Sequence, residues 1–123
     1  MDRTFLLVGA LAGFVGVMLG AFGAHGLRNR VSPEMLAVFE TGVRYQMYHV
    51  LALMITAAAI GRLGAARLLV AAGWFFVAGI ILFSGSLYAL VFTGVTMLGA
   101  VTPIGGLAFL VGWACLALFA AAL

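Results

Sequence analysis

The sequence predicts an all-α fold: an integral membrane four-helix bundle with an amphipathic interfacial segment before its second helix. Three observations lead there. The chain has 123 residues, 67% hydrophobic and only 7% charged, where a soluble domain has about 45–50% apolar and about 25% charged residues. Four apolar stretches, at about 4–24, 45–60 extended back from 33, 68–92 and 103–123, each suit a bilayer span of about 20 residues. The first stretch carries Gly9, Gly13, Gly16, Gly20 and Gly23 with no charged residue between Thr4 and Ala24. A single transmembrane domain covering 1–123 is expected.

At about 100° per residue the five glycines fall within an arc of roughly 80° on one helix face. In water such a strip only costs stability, about 1 kcal/mol per glycine. In lipid, where helices have no hydrophobic drive to associate, small residues let backbones approach closely. The first helix is therefore built to press on another helix, in this chain or in a second copy. Its apolar run exceeds the ~7–15 residues of a signal-peptide core and is expected to be retained.

The second helix begins at a clear signal. Ser32 can cap, Pro33 suits the first helical position and Glu34 favours the positive end of the dipole. Residues 33–44 are amphipathic, with Met35, Leu36, Phe39 and Val43 set against Glu34, Glu40 and Arg44, and are expected at the interface. Glu40 and Arg44 are spaced for an interfacial ion pair. Further on, Thr41, Tyr45, Gln46, His49 and Thr56 project within roughly 140° of one another. Polar groups at membrane depth usually face the bundle interior, so Tyr45, Gln46 and His49 are expected inward.

Gly61–Arg67 is expected as a tight turn. In the third helix Ser84 and Tyr88 share a face and Ser86 points elsewhere, which suits interhelical hydrogen bonding. Thr102–Pro103 repeats the cap-then-proline signal. In the fourth helix Gly105 and Gly112 share a packing face, and the mid-span Trp113 needs a partner for its indole N–H.

Several function classes lack support. The net charge of +3 comes from six arginines and three acids, too few and too scattered for nucleic acid. No P-loop, dinucleotide fingerprint or metalloprotease motif occurs, S-G-S is not a nucleophile elbow, and no acidic residue lies inside a span. No catalytic constellation is present, so no enzyme is expected. Cys115 stands alone in an apolar helix. A bis-histidine haem would need ligands on facing helices, but a regular first helix points His25 about 160° from Gly9. Two histidines alone do not complete a zinc site. No cofactor or metal is expected. If every segment spans, Arg3, Arg62 and Arg67 face Arg28, Arg30 and Arg44 across the membrane, which leaves only a weak lean to cytoplasmic termini.

Four strings carry a family resemblance: GAFGAHG at 20–26, TGVRYQMYH at 41–49, LFSGSLY at 82–88 and TPIGGLAFLVGW at 102–113. Together they resemble the YgdD-like family of small membrane proteins, a domain of unknown function with transmembrane relatives in animals. The resemblance implies a four-helix protein of the bacterial inner membrane and no known reaction. His25, Tyr45, Gln46, His49, Ser84, Ser86, Tyr88, Thr102, Pro103 and Trp113 match its motifs and mark a shared polar site.

The expected function is non-enzymatic binding of a lipid, quinone or similar apolar ligand in a polar pocket within the bundle. His25, Tyr45, Gln46, His49, Ser84, Tyr88 and Trp113 are its candidate residues, and a dry, fully packed His49 would sink it. The alternatives are a structural subunit of a homo-oligomer or larger membrane complex, and an oligomeric channel or transporter.

Overall fold

The computed structural model describes residues 1–123, and every regular element is helical. Helix α1 (Asp2–Phe22) runs into a π turn at Gly23–Leu27. Helix α2 spans Pro33–Leu63. Helix α3 (Arg67–Gly79), a π turn at Ile80–Ser84 and α4 (Gly85–Thr93) form one continuous rod. A 3₁₀ turn at Thr96–Ala100 leads into α5 (Thr102–Ala121). Four rods are long and apolar enough to cross a membrane: Asp2–Leu27, Pro33–Leu63, Arg67–Thr93 and Thr96–Ala121.

The local signals explain most of these boundaries. Ser32 is extended (φ −62°, ψ 156°) and its hydroxyl accepts the Met35 N–H at 3.1 Å, with Pro33 in the first turn. The 31 residues of α2 give a rod of about 46 Å, longer than a ~30 Å hydrocarbon core. The amphipathic segment is the excess, continuous with the span. Helix α2 ends at Leu63 rather than near Ile60, and the turn is shorter than the sequence suggests. Gly64 makes it at φ 92° while its N–H still reaches the Ile60 carbonyl. Gly94, at φ 70°, closes α4 in the left-handed conformation that glycine adopts without penalty. Thr102 does not cap α5, because its hydroxyl is drawn to Ser86 instead, at 2.6 Å.

Two antiparallel hairpins make the bundle. In the first, the glycine face of α1 lies on α2 of the same chain. A Cβ at Gly9 would meet Met54, one at Gly13 Val50, one at Gly16 Met47, one at Gly20 Val43 and one at Gly23 Phe39. Each step along α1 is matched by a step back along α2, so the strip is consumed within the chain.

In the second hairpin the small and large residues interlock. Phe109 of α5 fills the space beside Gly79, and Phe76 of α3 fills the space beside Gly112. Gly105 lets α5 approach the backbone of the π turn at Phe83, where any side chain would collide. The hairpins join through α2 and the third rod over a core of Phe5, Leu53, Ile60, Leu69, Phe76 and Phe109 with smaller residues between them.

Candidate functional site

Apart from Thr56, which is buried and donates to the Ala52 carbonyl of its own helix at 2.8 Å, the polar side chains inside the bundle form three groups, and no buried side-chain nitrogen or oxygen lacks a partner. In lipid an unsatisfied polar group costs several kcal/mol, so this accounting governs where each residue sits.

The first group centres on Gln46, which is 4% exposed. Its amide nitrogen donates to the Ala12 carbonyl of α1 at 2.7 Å, and its amide oxygen accepts the Tyr88 hydroxyl at 2.6 Å. One side chain of α2 thus ties α1 to α4. Gly42 makes room for the Tyr88 ring, and Ser84 donates to the Gly42 carbonyl at 2.6 Å.

The second group is His49, which is 5% exposed. Its Nδ1 lies 2.7 Å from the Tyr45 carbonyl and its Nε2 lies 3.0 Å from the Trp113 indole nitrogen. A carbonyl can only accept and an indole N–H can only donate. The arrangement therefore defines a neutral ring protonated at Nδ1. Phe109 stacks on that ring at 3.5 Å between centroids and 7° between planes.

The third group surrounds the π turn. Ser86 donates to the Phe83 carbonyl at 2.8 Å and also meets the Thr102 hydroxyl. Hydroxyls commonly re-satisfy backbone groups where a membrane helix departs from regular geometry.

Beside these groups lies an open apolar window of about 320 Å³ between α1 and the third rod. Val8, Leu11, Ala12 and Val15 line one wall and Val77, Ile80 and Ile81 the other; Gln46 is the polar residue among them. Beyond this lining on either side, aromatic contacts join α1 to the third rod. Phe5 meets Trp74 edge-on at 5.2 Å, while Phe22 stacks with Phe92 at 6.4 Å near Phe39.

The sequence-derived site is only partly assembled. Gln46, Tyr88 and Ser84 come together, and His49 meets Trp113. Tyr45, expected inward, is 39% exposed, and it is its backbone carbonyl that serves His49. His25 is exposed at the end of the first rod. With both nitrogens of His49 engaged, a bis-histidine pair is not formed. His49 is buried with both ring nitrogens engaged, so the pocket expected around it is not formed, and the window opens beside Gln46 instead. The Glu40–Arg44 ion pair is also absent: the sole salt bridge joins the N-terminal ammonium to Asp2 at 3.8 Å. An exposed pair contributes little, and Arg44 turns to the Thr41 hydroxyl at 3.4 Å.

Sequence reasoning missed the Ala12 carbonyl, Phe109 and the window. A carbonyl has no sequence signature, and Phe109 is one of 10 phenylalanines. The window is lined in part by Ile80 and Ile81 of the π turn, which helical projection does not register.

Geometry and composition together define a small four-helix membrane protein in which every buried side-chain nitrogen and oxygen has at least one partner. The comparisons then give its family. A family model described as a protein of unknown function (DUF423) matches residues 19–106. The UPF0382 membrane protein YwdK of Bacillus subtilis (strain 168) is 46% identical over 111 residues, covering 90% of each chain. A UPF0382 membrane protein of Staphylococcus aureus (strain bovine RF122 / ET3-1) is 48% identical over 113 residues, 90% of this chain and 89% of that one. Its counterpart in Staphylococcus saprophyticus is 45% identical, over 90% of this chain and 91% of that one. The chain belongs to this family of membrane proteins of unknown function. No solved structure matches it.

Proposed function

We propose that this protein is a non-enzymatic membrane binder that holds an apolar, chain-bearing molecule in the window between α1 and the third rod. One observation carries the reading: an apolar opening of about 320 Å³ has a single polar residue, Gln46, in its lining. Ligand sites typically combine a mostly apolar wall with a few placed polar groups, in volumes from about 300 Å³ upward. His49 and Trp113 then have a structural role, joining α2 to α5 behind the window. We further propose that it lies in the bacterial inner membrane with both termini cytoplasmic, since Arg62 and Arg67 flank one short loop on that side, and that it is related to the YgdD-like proteins whose motifs it resembles.

A neutral long-chain ketone carrying a diazirine on its alkyl chain tests entry. After irradiation in vesicles, carbene adducts are expected at Ala12 and Val77, which lie half-buried inside the window. Adducts confined to outward residues such as Phe14 and Val17 would overturn the reading. A structural role in a complex would have to rest on the exposed apolar faces alone, because the glycine strip is occupied by α2.

A further inference from the structure

We infer that the occupant of the window is a neutral ring compound bearing carbonyl oxygens and an apolar tail, of the prenylated quinone type, rather than a glycerolipid. This rests on the window being a binding site. Three observations point to that chemistry.

The first is an unused donor. A glutamine amide nitrogen carries two N–H groups. One of Gln46 is taken by the Ala12 carbonyl, and no second protein acceptor meets the nitrogen. The amide cannot be turned over, because the Ala12 carbonyl accepts only from nitrogen. Gln46 is 4% exposed and lines the window, so its second N–H is assigned as the donor met by whatever fills it. A molecule with a lone-pair oxygen gains from that contact, and a plain alkyl chain leaves it unmet.

The second is depth. The amide sits level with Ala12 to Gly16 on α1, about 15 Å along the rod from Asp2. In a ~30 Å hydrocarbon core this is on the order of 10 Å or more from either edge. Glycerolipid ester and phosphate oxygens lie at the edges. An acceptor that reaches Gln46 must belong to a polar group able to sit among acyl chains, which a neutral diketone ring does and a headgroup does not.

The third is charge. No ionisable residue lines the window, and the nearest polar partner, Tyr88, already donates to Gln46. The site thus suits an uncharged acceptor without donors of its own. The window is open along its side, which leaves a tail free to run into the bilayer.

The chain has one glutamine, so protein labelled with ¹⁵N-glutamine shows a single side-chain amide. Decylubiquinone added to labelled protein in lipid discs is expected to move one of the two amide protons of Gln46 downfield and leave the other in place. The Val77→Phe variant, with its window filled, is expected to show no shift. Gln46→Met is expected to bind decylubiquinone about tenfold more weakly, the effect of one lost hydrogen bond. Quinone retained by the wild type and excluded by Val77→Phe, with the Gln46 resonances unmoved, would overturn this inference and leave the window standing as a site. Retention of phospholipid but not quinone in the window would do the same. Equal quinone binding by wild type and Val77→Phe would overturn the window itself.

Discussion

Trp113 shows what a single residue reveals and conceals. A tryptophan in the middle of an apolar span needs a hydrogen-bond acceptor, and that much follows from the sequence. That the acceptor is Nε2 of His49, 64 residues away, does not, because it depends on how α5 rotates against α2. The same contact assigns different costs to the two partners. His49→Ala removes a ring stacked on Phe109 and leaves a cavity, a loss of about 2–3 kcal/mol. Trp113→Phe keeps most of the volume and loses one interhelical hydrogen bond, about 0.6–1.7 kcal/mol. Unfolding in increasing dodecyl sulfate should rank the variants in that order. Equal midpoints would mean that the hydrogen bond, rather than the stacked ring, dominates the contribution of His49.

At the scale of the helix, glycine spacing was the most informative signal. The arc on the first helix fixed which face packs, and the structure pairs that face with α2 residue by residue. Gly105 and Gly112 were likewise assigned to a packing face, yet their partners differ in kind. Gly112 receives the ring of Phe76, whereas Gly105 abuts the backbone of the π turn. That turn could not be found by projection at a fixed angle, since it changes the phase of the helix midway. Its neighbours explain how it is tolerated: Gly105 gives it room and Ser86 satisfies the Phe83 carbonyl. Gly105→Ala should therefore destabilise by about 1–3 kcal/mol, as overpacking does. Gly20→Ala meets only Val43 at 3.4 Å, an ordinary contact, and should stay within about 1 kcal/mol of the wild type. Dodecyl sulfate midpoints separate the two; a tolerated Gly105→Ala would contradict the close approach of α5 to the third rod.

For the whole molecule, composition settled the environment and the number of spans, and the four rods follow the four apolar stretches. Composition could not say that the helices form two hairpins, nor that α1 departs from the third rod between its aromatic ends. Whether the glycine strip served a neighbouring chain was equally open in the sequence. Because α2 occupies it, Gly16→Leu, which would drive against Met47, should lower the unfolding midpoint without changing particle mass in mild detergent. A smaller particle with its fold intact would instead make the strip an intermolecular interface. The candidate site moved for a related reason. His49 was the most conspicuous polar residue in the spans, but the satisfied residue is part of the framework. Gln46, with one N–H to spare, faces the opening.

If the window is a binding site, it holds a molecule in the membrane. Native mass spectrometry of the protein in lipid discs, comparing wild type with Val77→Phe, tests it most directly. The wild type is expected to retain a defined apolar molecule through purification, and the filled variant, equally folded by circular dichroism, to have lost it. A wild type that flies without any bound molecule, or a filled variant that retains the same one, would contradict it.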